Sequence, residues 1–246
     1  MSKVDLSLIL PAYNEGLIFE DNVIKVVDVL KKTRKSWEII FVEDKSTDST
    51  KKVIQKLINQ IPLTRAIFHK NNEGRGKSVA DGIKTAKGEI CGYLDVDLEV
   101  SPSYIPLFVK EVERGSDLAV GKRFYEGEGI KTIPRFLASK TYALAVKSLL
   151  NCSIEDTEAG YKFFRRSKIL PLIKKTKSKH WFWDTEICVV SDRENLNISQ
   201  VPVLFKRRND KKSTVRLVPD TIDYVKNLIR LKFQIANFKY QTNNKY

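Results

Sequence analysis

Ile90-Cys-Gly-Tyr-Leu-Asp-Val-Asp-Leu-Glu99 opens as an apolar run and ends in three acids at alternate positions, Asp95, Asp97 and Glu99. It reads as a buried strand that carries negative charge out of the core where it emerges. Carboxylates crowded in this way repel one another and are costly near a core unless a cation neutralises them. Oxygen-only, carboxylate-rich ligation suits Mg²⁺ or Mn²⁺, which are commonly shared with a phosphorylated substrate. An isolated Asp-X-Asp is more often a solvated strand-to-loop turn, so its neighbours decide.

Upstream, the chain alternates strand and helix. Leu6 to Leu10 is a short buried strand closed by Pro11, and a helix follows over about 17–35 with Val23, Val26, Val27 and Leu30 as its apolar stripe. Trp37 to Val42 is a second strand, and a helix over 49–59 has Thr47 or Asp48 as its cap. Arg65 to His69 is a third strand, Gly76 to Lys87 a third helix, and Ile90 to Leu94 the fourth strand. Downstream, Ser101-Pro102 opens a helix to Arg114, since Ser suits the N-cap and Pro the first turn. Leu118 to Val120 adds a strand.

Repeated strand–helix units call for an α/β fold with a mostly parallel central sheet flanked by helices. In such sheets ligands collect beyond the carboxyl ends of the strands. Tyr13-Asn-Glu15, Glu43-Asp44 and the acid run all follow strands, so they converge on one sheet edge.

After Gly121 the pattern changes. A basic, glycine-rich loop over 122–133 precedes a helix from Pro134 to Leu150, a polar turn at 154–160 and a strand at Tyr161 to Phe164. Helices near Ser167 to Lys174 and from Asp184, a strand at Ile198 to Phe205, a basic loop over 206–214 and a terminal helix over 219–240 complete the chain.

The 246 residues suffice for one large domain, and 42% hydrophobic with 30% charged residues is ordinary globular composition. A net charge of +14 implies a polyanionic partner: nucleic acid, an anionic membrane surface or a phosphorylated substrate. Cys91, Cys152 and Cys188 lack metal-ligand spacing and read as reduced, buried thiols of a cytosolic protein. No stretch approaches the ~18 apolar residues of a membrane span, so the chain is expected to be soluble or peripheral.

Five strings now stand in order: Pro11-Ala-Tyr-Asn-Glu15, Val42-Glu-Asp-Lys-Ser-Thr-Asp48, Gly74-Arg-Gly-Lys77, the acid run, and Asp156-Thr-Glu-Ala-Gly-Tyr-Lys162. Together they resemble family 2 glycosyltransferases of the GT-A fold, and more narrowly the dolichyl- or polyprenyl-phosphate mannose and glucose synthases. The resemblance runs from about 6 to 213 and implies a catalytic domain over 1–215, with an amphipathic helix and tail over 216–246. It implies that Pro11, Ala12, Tyr13, Glu15, Val42, Asp44, Asp95, Val96, Arg123 and Arg208 hold a nucleotide-sugar donor, GDP-mannose or UDP-glucose. It implies Asp95, Asp97 and Glu99 as ligands of Mg²⁺ or Mn²⁺, although the third position is often Gln in the mannose enzymes. Asp97, Arg123 and Asp156 are the implied catalytic residues, Asp156 being the one to watch if a base is needed. Arg135 and Ser139, one helical turn apart, are the implied ligands of the acceptor phosphate.

The implied reaction inverts the anomeric centre and transfers a hexose to polyprenyl or dolichyl phosphate; the alternative acceptor is a saccharide hydroxyl in glycan or polysaccharide synthesis. Arg207, Arg208, Lys211, Lys212 and Ser213 resemble a basic segment that folds over the donor diphosphate. Trp181-Phe-Trp-Asp-Thr-Glu186 also looks familial, but Asp184 reads equally as a helix cap and the aromatics as core.

On the terminal helix, Ile222, Val225, Ile229, Phe233 and Ala236 form one apolar stripe, and Tyr224, Leu228, Leu231, Ile235 and Phe238 an adjoining one. With Lys226, Arg230 and Lys239 beside them, they suit a peripheral membrane helix at the cytoplasmic face or packing against the body or a partner. A nucleic-acid partner is not expected, because no such binding motif is present. A dehydrogenase is disfavoured because no Gly-X-Gly-X-X-Gly follows the first strand.

Overall fold

In the computed structural model the described residues are 3–16, 18–125, 133–207 and 223–235, the side chains of 133–140 excepted. The first half runs β1 (Leu6–Ala12), α1 (Phe19–Lys32), β2 (Trp37–Glu43), α2 (Thr50–Gln60), β3 (Thr64–Phe68), α3 (Arg75–Thr85) and β4 (Ile90–Leu94). A 3₁₀ turn at Pro102–Tyr104 then leads into α4 (Ile105–Glu113) and β5 (Leu118–Tyr125). The second half holds α5 (Ile133–Leu150), β6 (Tyr161–Arg165), α6 (Arg166–Ile173), α7 (Trp183–Arg193) and β7 (Ile198–Phe205). A last helix, α8, spans 223–235.

Alternation along the strands divides the core in two. Leu6, Leu8, Leu10 and Ala12 of β1 join Ile39 and Phe41 of β2 beneath the stripes of α1, α2 and α4. Ile9, Ile40 and Val42 face the other way, onto α3, α5, α6, α7 and α8. Helices therefore cover both faces, and the strands read as nearly continuous apolar runs, as parallel sheets do.

The seven strands lie in the order β3-β2-β1-β4-β6-β5-β7. β1 is parallel to β2 and β4, β2 to β3, and β5 to β7, while β6 runs antiparallel between β4 and β5. The mostly parallel α/β sheet expected from the repeats is the one observed.

Two strand boundaries differ from the sequence reading: Pro11 does not close β1, which runs on to Ala12 by pairing Pro11 and Ala12 with Val42 and Glu43 of β2, and β5 is longer than expected. β5 continues past Val120 to Tyr125, pairing Gly121 to Tyr125 with Val201 to Phe205 of β7. Lys122 and Arg123 made this stretch look like loop. It lies beyond the core at the sheet margin, where a strand needs only a backbone partner. Ser101 does cap the turn before α4, accepting from the Ser103 amide at 3.2 Å. The three cysteines are free and buried.

α8 shows both of its faces. Leu228 and Leu231 are buried in the core, and the Tyr224 ring meets Tyr142 and Phe182 edge-on at 5.1 and 5.9 Å. Arg230 donates to Ser178 Oγ at 2.7 Å, and Gln234 to the Lys175 carbonyl at 2.9 Å. Val225, Ile229 and Phe233 are left 50%, 50% and 67% exposed. Ile222, Ala236, Phe238 and Lys239 lie outside the described residues. Among the described residues no helix is long and apolar enough to cross a membrane.

Candidate active site

At the carboxyl ends of β1 and β2 the motif residues hold each other. The Asn14 amide donates to Ser46 Oγ at 3.1 Å, and Asn14 Oδ1 accepts from the Thr47 amide at 2.8 Å. The Glu15 amide donates to Thr50 Oγ1 and the Gly16 amide to Asp48 Oδ2, at 2.8 and 3.0 Å. Asn14 turns the chain at φ 55°, a left-handed conformation that Asn adopts more readily than most residues. Asp48 also accepts from the Thr50 amide at 2.9 Å, but the residue at the N-cap of α2 is Ser49, not Thr47 or Asp48, and its side chain makes no cap bond. Pro11, Ala12, Val42 and Asp44 are buried and form the floor of this edge, whereas Tyr13 stands 44% exposed.

Asp44 is committed to the protein. Its carboxylate accepts from the amides of Glu73 and Gly74, both at 2.8 Å, and lies 2.7 Å from His69 Nδ1. It thereby ties β2 to the loop that enters α3.

Beyond β4 the acid run folds into a tight turn. The Leu98 amide donates to the Asp95 carbonyl at 3.2 Å, and the Glu99 amide to Asp97 Oδ1 at 3.2 Å. Leu98 sits at φ 55°, a conformation seldom adopted by such a residue, and strain of this kind clusters at functional sites. Asn22 of α1 braces the turn by donating to the Val96 carbonyl at 2.9 Å. Burial, together with Asp97 and Asp184, pushes the Asp95 carboxyl up to about 6 against the pull of Arg75. Burial and the charges of Glu99 and Glu15 push Asp97 up to about 6 as well.

These groups fit a divalent cation in one particular way. All are oxygen donors, and the raised carboxyls of Asp95 and Asp97 mark a place where a further cation would be welcome. Yet no three of them, among the described residues, are already arranged as a metal cage. That combination matches an ion taking one or two carboxylates and drawing its other ligands from substrate phosphate and water.

At the carboxyl end of β5 stands an arginine–carboxylate fork. Arg123 of β5 donates through Nε and Nη2 to the two oxygens of Asp156, at 2.7 and 2.9 Å, and its amide reaches Asp156 Oδ2 at 3.1 Å. Burial opposes the charge on Asp156, but the guanidinium outweighs it and holds the carboxyl below its usual range. A carboxylate so held is a weak proton acceptor. Glu158, 3.9 Å from Arg123, differs: burial, then Asp156 and Asp184, push its carboxyl up to about 7. The sequence reading missed Glu158 although it lies inside a quoted motif. The Lys206 amide bonds the Glu99 carbonyl at 2.8 Å, so the basic segment after β7 starts beside the acid turn. Arg208, Lys211, Lys212 and Ser213 lie outside the described residues, as do the side chains of Arg135 and Ser139, whose backbone belongs to α5.

Arg75, Tyr93, Lys162 and Asp184 form the other group that sequence reasoning passed over. Asp184 takes no helix amide; its carboxylate accepts from Arg75, from the Tyr93 hydroxyl and from Lys162 Nζ. Arg75 also donates from Nε to Asp95 Oδ1 at 2.7 Å, with Nη2 in ion-pair contact at 2.6 Å. The available signal was a lysine within Tyr161-Lys-Phe-Phe164, since a charge in a buried strand must find a partner.

A mostly parallel sheet carries the acid turn at its carboxyl edge, and the family model for glycosyl transferase family 2 matches residues 7–172. The chain belongs to that family. It is 28% identical over 237 residues to glycosyltransferase AglD of Haloferax volcanii, covering 95% of this chain and 38% of that protein. It is 25% identical to a dolichyl-phosphate beta-glucosyltransferase of Saccharomyces cerevisiae, over 99% of this chain and 78% of the yeast protein. Among solved structures, glucosyl-3-phosphoglycerate synthase from Mycobacterium tuberculosis in complex with UDP superposes with a TM-score of 0.69 at 18% identity. That match covers 93% of this chain and 80% of the other, and it is a likeness of fold.

Proposed function

We propose that this glycosyltransferase moves a hexose from a nucleotide sugar, UDP-glucose or GDP-mannose, to a polyprenyl or dolichyl phosphate, with inversion at the anomeric carbon. Residues 1–215 act as the catalytic domain, and 216–246 supply a helix that packs on that domain by one face and turns its exposed stripe to the membrane. An acceptor phosphate oxygen forms the new bond to C1 while the bond from C1 to the donor diphosphate breaks, releasing the nucleoside diphosphate. The observation that carries the acceptor class is the Arg123–Asp156 fork: the carboxylate on that side is already ion-paired and poorly suited to take a proton. A phosphate monoester needs no such base, being largely ionised near pH 7 (second pKa about 6). The likeness to the dolichyl-phosphate beta-glucosyltransferase of Saccharomyces cerevisiae supports this reading.

In this reading Tyr13 and Glu15 border the nucleoside, the floor of Pro11, Ala12, Val42 and Asp44 supports it, and Val96 and Arg208 complete the donor side. One or two carboxylates of the set Asp95, Asp97 and Glu99 would hold Mg²⁺ or Mn²⁺, which when bound supplies electrophilic stabilisation of the leaving diphosphate. Arg123 adds positive charge, Arg135 and Ser139 receive the acceptor phosphate, and the enclosing strands position both partners.

The enzyme works peripherally, at the cytoplasmic face of a membrane. Val225, Ile229 and Phe233 form an exposed stripe bracketed on the helix by Lys226 and Lys232, a pattern suited to anionic lipid. A saccharide hydroxyl is the second reading, favoured by Glu158, whose carboxyl near 7 suits a general base. A panel of radiolabelled donors with short-chain polyprenyl phosphate, with and without Mg²⁺ or Mn²⁺, separates the two. Lipid-linked product from one donor, dependent on the ion, supports the proposal. Transfer only to saccharides overturns it.

A further inference from the structure

Four side chains from four elements form a line of alternating charge through the interior. Lys162 of β6 lies 3.1 Å from Asp184 of α7, Asp184 is bonded by Arg75 of α3, and Arg75 is ion-paired with Asp95 at 2.6 Å. Lys162 and Asp184 are 0% and 2% exposed, and the Tyr93 hydroxyl gives Asp184 a third donor. Each inner member serves two partners of opposite sign, so the quartet is neutral as a whole. Buried charges are tolerated on those terms.

The two ends of this line reach the two halves of the site. At one end Arg75 fixes Oδ1 of Asp95 on the acid turn, its guanidinium lying 5.5 Å from the Tyr93 ring centre and 5.1 Å from that of the half-exposed Trp181. At the other, Lys162 Nζ donates to the carbonyls of Thr157 and Ala159 at 3.1 and 2.5 Å, and so holds the turn that carries Asp156 and Glu158. The halves also touch directly: a Cβ at Gly160 would fall 1.9 Å from Asp95 Oδ2 and 2.6 Å from Arg75 Nη2. Capping does not account for Asp184, because α7 begins without a side-chain cap bond.

We infer that Asp184, acting through Arg75 and Lys162, is a positioning residue that sets the acid turn against the 156–160 turn, and so fixes the distance between donor and acceptor. This rests on the proposed site while adding a role for residues outside it. Removing the link leaves the donor's nucleoside contacts at β1 and β2 in place but lets the reacting groups drift. A displacement of about 1 Å costs on the order of 10²-fold in rate.

The test compares Arg75→Lys, Asp184→Asn and the double variant with the unaltered chain. Lysine keeps the charge but reaches one carboxylate instead of two, so R75K carries the test even where D184N fails to fold. Turnover is measured with UDP-glucose and GDP-mannose on short-chain polyprenyl phosphate, beside melting temperature and amide exchange read by mass spectrometry. The expected result is a kcat lowered about 30- to 100-fold with donor KM within about threefold, and a double variant no worse than the poorer single one. Exchange should quicken together at 95–99 and 156–160. Undiminished kcat in R75K, or losses that multiply in the double variant, overturns the inference. The exchange measurement is independent of turnover. A chain that transfers nothing to polyprenyl phosphate refutes the acceptor reading, whereas linked exchange of the two turns still supports the positioning role. Faster exchange confined to α7 refutes that role.

Discussion

Asp97→Asn should make the protein more stable and inactive at once, and the gain should depend on pH. In the folded chain the Asp97 carboxyl is raised from its ordinary 3.8 to about 6, by burial and by Glu99 and Glu15. A displacement of that size corresponds to about 3 kcal/mol, and partial solvent screening reduces it to about 1–2 kcal/mol. The sign follows from proton uptake. Between pH 4 and 6 the native state binds a proton that the unfolded chain does not, so the wild type loses stability as pH rises through that window and stays penalised above it. Asn carries no such penalty, and its carbonyl can still accept from the Glu99 amide, now 3.2 Å from Oδ1. The variant should therefore melt about 2–8 °C higher at pH 8 for a chain of this size, with the difference vanishing near pH 4. Mn²⁺ should raise the melting temperature of the wild type more than that of the variant, and turnover should fall about 10²-fold or more. Calorimetric melts at pH 4 to 8, with and without Mn²⁺, are the assay. Equal melting temperatures at pH 8, a gain that persists unchanged at pH 4, or full turnover would refute the electrostatic reading of the acid turn.

Gly160→Ala should cut turnover far more than it lowers the melting temperature, because its methyl would strike Asp95 Oδ2 and Arg75 Nη2 rather than the core; a kinetic comparison beside a melt decides it. Leu231→Ala removes a side chain that is 0% exposed in the seat of α8, and should cost about 2–5 kcal/mol in denaturant unfolding. Phe233→Ser, at 67% exposure, should leave unfolding unchanged to within about 0.5 kcal/mol and weaken sedimentation with phosphatidylserine vesicles; unaltered sedimentation counts against the lipid-facing stripe. Cys91, Cys152 and Cys188 are buried, and burial pushes Cys91 up to about 12 and Cys152 to about 11. All three should therefore react with a thiol reagent only at the rate of unfolding.

Much of the fold was legible because it is encoded locally. Short, nearly continuous apolar runs mark β1, β2 and β4, stripes at helical spacing mark the helices between them, and the alternation of strand and helix leaves little choice but a mostly parallel sheet with its loops on one edge. Less could be read where local pattern and tertiary role diverge. β5 runs on through Lys122 and Arg123 because β7 supplies it with a backbone partner, and no periodicity of its own announces that. Asp44 follows a strand as a ligand-binding residue would, and its bonds from the amides of Glu73 and Gly74 have no mark in the local sequence.

From the amino-acid order alone came the sheet, the edge where its loops gather and the acids placed there, because each of these follows from neighbours within a few residues. The folded chain decided which charges meet. Arg75 and Asp184 stand 109 positions apart, and Arg123 and Asp156 are 33 apart. A charged side chain carries no local mark of its partner: the pairing is chosen when strands and helices bring distant residues together in a space that excludes water. For that reason the sequence did not announce that Asp156, a catalytic residue by resemblance, pairs with Arg123, or that Asp184, a helix cap by position, is the centre of a buried network.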